Sequence, residues 1–336
     1  MKSLLCNTLL FSSILLTLPS YAQETVCDPS AIQRAEERHL TNITQITSPE
    51  MGFERAGEGY FSPDGTTIIF QAVPTGENNF QIFTMNLETK EIVKISQNAG
   101  ACTCSFFKAD GSKIIFAASP LEAKKEANSR YKWDLTPYMN IYEANLDGSE
   151  AYPLTKGPAY HAECAYSSDG SQIVFASNED GHMNIYLMRS DGSDVRQLTH
   201  TTGCYNGGPF ISPDDTKIIF RADRELPNQL QIYMMDIDGS NVTQITDDEA
   251  INWAPFWHPD GKRIAYTTSL HGHHNYQIYL HDLETNQRIR LTYAPCFNGL
   301  PAFNREGNKL LWTSKRGDDK SSQLFMADFS LHDDEV

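Results

Sequence analysis

The chain has 336 residues, of which 40% are hydrophobic and 21% are charged, so its composition is that of an ordinary globular protein. This balance excludes a disordered, collagen-like or coiled-coil chain. The 27 basic and 43 acidic residues give a formal net charge of −16, without any cluster of Lys or Arg. Because an acidic surface repels phosphate groups, we expect no nucleic-acid partner and no binding to an anionic membrane surface.

The first 22 residues have the pattern of an export signal. Lys2 supplies a positive start, residues 4–18 form a broken apolar stretch, and Ser20 and Ala22 place small residues at positions −3 and −1 of a cut after Ala22. The stretch is short and interrupted by polar residues, unlike a membrane-spanning helix. We therefore expect cleavage, no membrane insertion and a mature protein in the periplasm or secreted into the medium. Residues 23–40 would form an N-terminal extension.

Six segments of the chain repeat a strand, a tight turn and a second strand. Most of the turns read Asp-Gly between apolar runs, and Gly suits this position because it accepts a positive φ. The acids of the six turns are Asp64, Asp110, Asp169, Asp214, Asp260 and Glu306, separated by 46, 59, 45, 46 and 46 residues. Six residues after each acid stands an aromatic residue: Phe70, Phe116, Phe175, Phe220, Tyr266 and Trp312.

Each unit continues with two further strands. Residues 81–83, 184–186, 231–233 and 277–279 are examples of the third strand, and residues 194–199, 241–246 and 287–292 are examples of the fourth. Short strands of period two that recur at this spacing are typical of propeller blades, whereas stacked helical repeats would show a period of 3.6. The sequence therefore predicts an all-β fold, a six-bladed β-propeller of four-stranded blades over residues 41–330.

The two ends of the chain complement each other. The last unit ends with its third strand near Leu324, whereas residues 42–47 (NITQIT) nearly duplicate the fourth strand at residues 241–246 (NVTQIT). We expect the N-terminal strand to complete the sixth blade, because a closed ring leaves no open sheet edge.

These repeats, the strands at residues 194–199 and 241–246 and the turn sequence MDIDGSN at residues 235–241 resemble the propeller of the TolB-like periplasmic family. The resemblance covers residues 40–329 and implies a periplasmic propeller that binds protein. TolB proteins also carry an N-terminal α/β domain, whereas this resemblance is to the propeller alone. Propellers host binding modules and enzymes alike, so the resemblance implies a fold more strongly than an activity.

Polar residues near the start of the inner strands form the candidate ligand site. Eight residues before the turn acids stand Ala56, Cys102, His161, Asn206, Asn252 and Asn298, and six residues before them stand Glu58, Cys104, Glu163, Gly208, Ala254 and Leu300. The alternation of a strand points both sets the same way. If that way is inward, a channel mouth carries Glu58, His161, Glu163, Asn206, Asn252 and Asn298.

Such a mouth would suit a cation, either a metal or an amine, because two confined carboxylates repel each other. Its amide groups would suit peptide or sugar hydroxyl groups. The alternative is that these are loop residues that satisfy backbone groups.

The 59-residue spacing places an insertion, residues 119–137, in the loop between the second and third strands of blade two. Its basic and aromatic residues are Lys124, Lys125, Arg130, Tyr131, Lys132 and Trp133. This loop should lie on the face of the channel mouth, and long loops on a rigid scaffold commonly bind ligands.

Six cysteines follow the signal: Cys27, Cys102, Cys104, Cys164, Cys204 and Cys296. An exported chain permits disulfides, so we expect either bridges that brace the rim of the channel or inert buried thiols.

Three histidines, His271, His273 and His274, occur in the corresponding loop of blade five. Histidine and carboxylate side chains are common ligands of Zn²⁺ and Mn²⁺, so this loop is a candidate site for a divalent metal. The alternative is a turn whose histidines face the solvent and bind no metal. The arrangement is similar to that of the oligogalacturonate lyases, propeller enzymes with channel-mouth histidines and a metal. That similarity suggests His161 as a base and the cations of the insertion as partners for a uronate carboxylate.

Other catalytic motifs are missing from the sequence, which has no Gly-x-Ser-x-Gly elbow, no His-Glu-x-x-His pair and no phosphate loop. We therefore predict a binding module for a protein, peptide or glycan ligand of the cell envelope, without catalysis. The alternative is a metal-dependent enzyme that acts on an anionic polysaccharide, using His271, His273, His161 and Glu163.

Overall fold

A computed structural model describes residues 28–97, 100–120 and 135–331. These residues form one helix, α1 (Pro29–Glu36), a 3₁₀ turn (Pro49–Met51) and six four-stranded sheets arranged as the blades of a propeller. The predicted all-β, six-bladed propeller is confirmed. None of the helical segments in these ranges is long and apolar enough to cross a membrane.

The strands of each blade follow one another from the axis outwards. Blade one contains β2 (Phe53–Phe61), β3 (Thr67–Pro74), β4 (Gln81–Asn86) and β5 (Ile92–Lys94). Blade two contains β6 (Cys102–Phe107), β7 (Ile114–Ala118), β8 (Asn140–Ala144) and β9 (Tyr152–Pro153). Blade three contains β10 (His161–Tyr166), β11 (Gln172–Ser177), β12 (Asn184–Arg189) and β13 (Arg196–Gln197).

The second half of the ring repeats this order. Blade four contains β14 (Asn206–Ile211), β15 (Lys217–Ala222), β16 (Gln231–Asp236) and β17 (Thr243–Gln244). Blade five contains β18 (Asn252–Trp257), β19 (Arg263–Thr268), β20 (Gln277–Asp282) and β21 (Arg288–Arg290). Blade six contains β22 (Asn298–Phe303), β23 (Lys309–Ser314), β24 (Gln323–Phe329) and, as its outer strand, β1 (Leu40–Gln45).

The N-terminal strand closes the ring, as the sequence predicted. β1 pairs antiparallel with β24, with Leu40 opposite Phe329 and Gln45 opposite Phe325. The pairing continues past the strand end, where the Ile46 N–H donates to the carbonyl of Leu324 at 2.7 Å. Segments that are far apart in sequence thus share one sheet, and β1 covers the edge that β24 would otherwise expose.

The aromatic residue of each second strand lies in the core and faces an aromatic residue of the third strand. Phe175, for example, is 1% exposed, and its ring stacks on Tyr186 with centroids 5.5 Å apart. The six ring pairs are Phe70–Phe83, Phe116–Tyr142, Phe175–Tyr186, Phe220–Tyr233, Tyr266–Tyr279 and Trp312–Phe325. Cross-strand aromatic pairs of this kind stabilise a sheet, which explains the strict placement of these residues in the repeat.

A buried hydroxyl group that accepts a hydrogen bond from a backbone N–H of the third strand fastens the outer strand of each blade. In blade four the Thr246 hydroxyl donates to the side-chain amide oxygen of Gln231 at 2.7 Å and accepts from the Ile232 N–H at 2.9 Å. In blade six the same contact joins Thr47 to Gln323 at 2.8 Å. The N-terminal segment therefore uses the contact that the other blades make within a single repeat unit.

Candidate functional site

A backbone irregularity in the inner strand of every blade sets the direction of the candidate site residues. The residue six positions before each turn acid has a left-handed backbone, with φ between 47° and 56°: Glu58, Cys104, Glu163, Gly208, Ala254 and Leu300. At this point the pairing of the inner strand with the second strand shifts register in all six blades. Such a bulge re-aims a side chain and breaks the alternation of the strand.

All six of these residues line one cavity of about 290 Å³. Because they occupy equivalent positions on the six innermost strands, the cavity lies on the axis of the propeller. Its wall also includes Arg55, Gln71, Tyr160 and Arg221. The candidate site is therefore an axial cavity to which every blade contributes.

Aromatic rings close the axis two residues further along the inner strands. Tyr60 contacts Phe106 at 5.0 Å and Phe256 at 5.8 Å, measured between ring centroids. Phe210 contacts Phe256 at 5.0 Å and Phe106 at 6.1 Å. Rings from four blades thus meet across the axis and separate the cavity from the face that carries the Asp-Gly turns.

A buried ion pair occupies one side of the cavity. Glu163 lies 3.2 Å from Nη2 of Arg221, and both side chains are less than a tenth exposed. The Tyr205 hydroxyl donates to Glu163 at 2.7 Å and accepts from Arg221 at 2.9 Å, and the Gly208 N–H also donates to Glu163. The carboxylate is fully engaged, so Glu163 is held in place as a positioned negative charge.

Two adjacent glycines make room for this cluster. A Cβ atom on Gly207 would collide with the Tyr205 hydroxyl and with Glu163, and one on Gly208 would collide with Arg221. Gly208 also has a φ of 55°, which glycine adopts without strain. The Gly207-Gly208 pair therefore explains how blade four brings Arg221 and Tyr205 to a carboxylate of blade three.

Glu58 faces the same cavity in a different electrostatic environment. Burial raises the pKa of Glu58 to about 7, the negative charge of Glu163 adds to this effect, and Arg221 opposes it. The Tyr60 hydroxyl donates a long hydrogen bond of 3.4 Å to the Glu58 carboxylate. Within residues 28–97, 100–120 and 135–331, no cation lies within 4.0 Å of Glu58. A ligand donor is therefore the natural partner for this carboxyl group.

The three asparagines predicted at the channel mouth do not line the cavity. Asn206, Asn252 and Asn298 are fully buried between loops and strands. The Asn206 amide donates to the Met183 carbonyl at 3.0 Å, and the Asn298 amide donates to the Ala294 carbonyl at 3.1 Å. The expectation that they point with Glu58 and Glu163 was wrong, because the bulge lies between the two positions.

His161 is also turned away from the cavity. Its Nδ1 lies 2.9 Å from the Ser177 hydroxyl, and its Nε2 lies 3.2 Å from the Glu179 carboxylate. Burial lowers the pKa of His161, although Glu179 opposes this effect. The residue therefore acts as a buried hydrogen-bonding group that ties the inner strand of blade three to the loop after β11.

The histidines of blade five do not converge on one point. His271 lies 2.8 Å from the Tyr279 hydroxyl and 3.5 Å from the Arg290 guanidinium, and burial and Arg290 lower its pKa to about 4. His273 and His274 are exposed, and His273 lies 3.4 Å from the Tyr276 hydroxyl. Nowhere in the described part of the chain do three His, Cys, Asp or Glu side chains come close enough to hold a metal ion.

The cysteines form no bridges where the structure describes them. Cys102, Cys104, Cys164, Cys204 and Cys296 are free thiols, and Cys27 lies outside the described residues. Burial raises the pKa of Cys104 and of Cys164, which both line the cavity. The prediction of bridges at the rim was wrong for these five, and the alternative of buried, unreactive thiols fits Cys104 and Cys164.

Two predicted features lie outside the described residues. They are the export signal at residues 1–22 and the basic insertion, of which residues 121–134 with Lys124, Lys125, Arg130, Tyr131, Lys132 and Trp133 are not described. Arg221 and Tyr205 were not predicted as site residues from the sequence. A charged residue inside the apolar strand KIIFRA and the Gly207-Gly208 pair are the signals that could have identified them.

Comparison with known proteins identifies the family. Residues 134–226 and 221–333 match the TolB beta propeller domain. The chain belongs to this family. Among solved structures, TolB from Acinetobacter baumannii superimposes with a TM-score of 0.57 at 18% identity, covering 82% of this chain and 63% of that chain. At this identity the likeness shows the fold.

Relatives with different activities share the propeller. An oligogalacturonate lyase in complex with manganese has a TM-score of 0.57 at 15% identity, covering 86% of this chain and 93% of that chain. The oligogalacturonate lyase of Dickeya dadantii (strain 3937) is 29% identical over 115 residues, which are 33% of this chain and 29% of that protein. The Tol-Pal system protein TolB of Francisella tularensis subsp. tularensis is 28% identical over 115 residues, 32% of this chain and 26% of that protein. The chain thus matches less than a third of either relative in sequence.

Proposed function

We propose that the protein is an exported TolB-like propeller that binds a protein, peptide or glycan ligand of the cell envelope in its axial cavity. The observation that carries this proposal is the cavity of about 290 Å³, which all six blades line. Aromatic rings close the cavity on one side, so a ligand group would enter from the opposite face, where the inner strand of each blade begins. Concave sites with few, well-placed polar groups are typical of ligand binding.

The two carboxyl groups of the cavity would have separate roles in binding. Glu163 is already bound by Arg221, Tyr205 and Gly208, and it contributes a fixed charge. Glu58 has weaker protein partners and a pKa of about 7, so near neutral pH it can accept or donate a hydrogen bond. An amine of a peptide or the hydroxyl groups of a sugar supply the donors that such a group takes.

Binding arrays with a matched pair of variants test this role. Purified protein is applied to a peptide array and to a glycan array, as wild type, as Glu58→Gln and as Glu88→Gln. Glu88 is an exposed acid in the turn after β4, so its substitution makes the same charge change far from the cavity. We expect ligands retained by wild type and by Glu88→Gln to bind Glu58→Gln about tenfold more weakly or not at all. Equal binding by all three proteins would contradict a ligand site at Glu58.

Export to the periplasm or the medium is a separate part of the proposal. It is supported by the positive start, the apolar stretch and the Ser20-Tyr21-Ala22 sequence of the N-terminus. Mass spectrometry of protein recovered from the periplasmic and extracellular fractions should find Gln23 as the first residue. Cytoplasmic protein that retains Met1 or residues 1–22 would contradict export.

A metal-dependent enzyme that acts on an anionic polysaccharide is the second candidate. Its support is the similarity to the oligogalacturonate lyase of Dickeya dadantii and to the lyase structure with manganese. Arg55 and Arg221 on the cavity wall could face a uronate carboxylate. The described residues do not fit a metal, because His271, His273 and His161 each bind a different protein partner.

Incubation with oligogalacturonates, with and without Mn²⁺, distinguishes the two candidates. An elimination reaction creates a double bond conjugated to the carboxylate, which ultraviolet absorbance detects. Product formation by wild type that is lost in Arg55→Gln, on the cavity wall, would favour the enzyme. Binding of oligogalacturonates without product would favour the binding module.

A further inference from the structure

Blades four and six share a sequence feature that the other four blades lack. Cys204-Tyr205-Asn206-Gly207 begins the inner strand of blade four, and Cys296-Phe297-Asn298-Gly299 begins that of blade six. In both blades an arginine follows the asparagine by 18 residues, Arg224 in blade four and Arg316 in blade six. The two blades therefore allow one arginine to be compared with its internal counterpart.

In blade six the arginine holds a carboxylate of the N-terminal helix. Arg316 donates to the side-chain oxygen of Asn298 at 3.1 Å, and its guanidinium lies over the rings of Trp312 and Phe325. Its Nη1 and Nη2 each donate to Glu36 of α1 at 3.0 Å, a two-pronged contact. Glu36 also accepts from the Tyr293 N–H at 2.7 Å, and its side chain is only 4% exposed.

In blade four the arginine contacts the counterparts of the same asparagine and rings, but its Nε binds the asparagine, whereas Nε of Arg316 binds Ser314. Nε and Nη2 of Arg224 donate to the side-chain oxygen of Asn206 at 3.1 and 2.9 Å. Its guanidinium lies 5.1 Å from the ring centroids of both Phe220 and Tyr233, the counterparts of Trp312 and Phe325. The arginine is thus held in place by an amide and two rings, as in blade six.

Blade four differs from blade six because no described acidic residue pairs with its arginine in the way that Glu36 pairs with Arg316. No carboxylate of residues 28–97, 100–120 and 135–331 lies within 4.0 Å of Arg224, and its Nη1 has no hydrogen-bond partner there. The neighbouring Asp223 carboxylate is already used, because it accepts from the Tyr205 N–H at 2.6 Å and from the Asn228 N–H at 2.8 Å. Burial lowers the pKa of Arg224, whereas a bound carboxylate would raise it. A fixed, half-buried guanidinium without an acid is a ready site for a carboxylate.

We propose that Arg224 is a docking site for an Asp or Glu side chain on a helical segment of a partner protein, bound as Glu36 binds Arg316. The occupant is inferred from blade six, where a helix brings the carboxylate to an arginine with the same asparagine and aromatic neighbours. Arg224 does not line the axial cavity, so this site is distinct from the proposed ligand site.

Part of the blade-six arrangement is absent from blade four. In blade six the Ala294 N–H, which precedes the inner strand, donates to Glu36 at 3.2 Å and so helps to hold the carboxylate. In blade four the Thr201 N–H of the corresponding link donates to Asn184 at 3.2 Å and is therefore not free for a partner carboxylate. The partner carboxylate would therefore depend more heavily on the guanidinium. A glutamine or lysine at position 224 should then lose most of the binding, since neither forms the two-pronged contact.

The test uses a peptide whose docking mode the structure already shows. A fluorescent peptide of residues 28–39 (DPSAIQRAEERH) is titrated with the full mature protein, and binding is followed by fluorescence anisotropy. The protein variants are Arg224→Gln, Arg224→Lys and Arg196→Gln. Arg196 is an exposed residue of the outer strand of blade three, so its substitution is a matched loss of charge outside the site.

We expect Arg224→Gln and Arg224→Lys to weaken binding of the peptide about tenfold or more, and Arg196→Gln to change it by less than about twofold. A peptide with Glu36→Gln should lose binding to wild type to the same degree. If Arg224→Gln lowers the melting temperature of the protein, its weaker binding could reflect partial unfolding. The proposal is then judged on Arg224→Lys, which keeps the positive charge.

Two results would overturn the proposal. One is the same affinity for wild type and Arg224→Lys, or no binding to wild type at all. The other is displacement of the peptide by acetate at an equal concentration of carboxylate, which would show a general anion site in place of a docking site for a protein segment.

Discussion

Glu58 and Glu163 occupy equivalent positions in blades one and three, yet their neighbours give them different properties. Glu163 is paired with Arg221 and accepts from Tyr205 and Gly208. Glu58 lacks such a cation, so burial and the charge of Glu163 raise its pKa to about 7. The same residue type at the same repeat position is therefore an anchored charge in one blade and a titratable group in the other.

This difference predicts how Glu58 affects stability. A carboxyl group with a pKa raised by folding favours the native state below its unfolded pKa of about 4.5 and loses that contribution as pH rises through about 7. The amide of Glu58→Gln stays neutral at every pH, so this variant does not lose unfolding free energy through ionisation at position 58. From pH 4 to pH 9, its unfolding free energy should rise relative to wild type by about 2–3 kcal/mol, measured by denaturant titration. A constant difference across this range would contradict the buried carboxyl, and Glu88→Gln serves as the control.

A second pair of repeat positions explains an unsatisfied atom in blade five. In blades three, four and six, the residue eight positions before the turn acid contacts the residue ten positions after that acid. The three pairs are His161–Glu179, Asn206–Arg224 and Asn298–Arg316. In blade five the corresponding residues are Asn252 and Leu270. The Leu270 side chain is 56% exposed, and the buried Oδ1 of Asn252 has no hydrogen-bond partner among the described residues.

Leu270→Arg should therefore stabilise the protein by about 0.5–1.5 kcal/mol, because it supplies the donor that blades four and six have. Thermal unfolding measures the effect. Leu226→Arg replaces another exposed leucine, 57% exposed, in the loop that carries Arg224 and is the control. Equal shifts for the two variants, or destabilisation by Leu270→Arg alone, would show that the pairing does not transfer to blade five.

At the scale of the strands, the ring pairs between second and third strands carry the core of each blade. Phe175 is 1% exposed and stacks on Tyr186 with centroids 5.5 Å apart. Its side chain lies in a cluster with Ile115, Ile141 and Tyr166, which belong to blades two and three. The aromatic repeat position therefore joins neighbouring blades as well as neighbouring strands.

Phe175→Ala should cost about 3–5 kcal/mol in the free energy of unfolding, the usual cost of removing a buried phenyl ring from a packed core. Chemical denaturation of the purified variant gives this value. Tyr138→Ala, at a side chain that is 50% exposed, should change stability by less than about 1 kcal/mol. Similar costs for the two variants would contradict the packing of Phe175 between blades.

The strands also show which parts of the structure the sequence could predict. Turn acids and aromatics at fixed spacing predicted all six blades, because hairpins and cores have local chemical requirements. The bulge had no such signal, since Glu58, Cys104, Glu163, Ala254 and Leu300 hold a left-handed conformation that usually selects Gly. Without the bulge, His161 and the three asparagines were expected in the cavity. Arg221 was missed because its direction depends on a contact between blades.

At the scale of the whole molecule, the N-terminal segment fastens the ring at three points. β1 completes the sheet of blade six, Thr47 bonds Gln323 at 2.8 Å, and Glu36 pairs with Arg316. These contacts join residues that are about 280 positions apart in the chain. Closure of the ring therefore depends on the last part of the chain meeting the first.

Deletion of residues 23–48 should expose the edge of β24 and leave Arg316 without its acid, so the protein should aggregate. Size-exclusion chromatography and light scattering test this outcome. Deletion of residues 23–27 alone, which precede the described residues, is the control and should leave the protein monodisperse. A soluble, folded product from the longer deletion would show that β1 is dispensable.

If a ligand enters the axial cavity, a side chain that fills the cavity should prevent binding. Leu300→Trp adds a large side chain to the cavity wall, whereas Val242→Trp adds the same side chain at an exposed position next to β17. The measurement is the equilibrium affinity of each variant for a peptide or glycan retained by the wild-type protein on the arrays. We expect Leu300→Trp to lose binding and Val242→Trp to bind as the wild-type protein does. Unchanged binding by a folded Leu300→Trp protein would contradict ligand entry into the cavity.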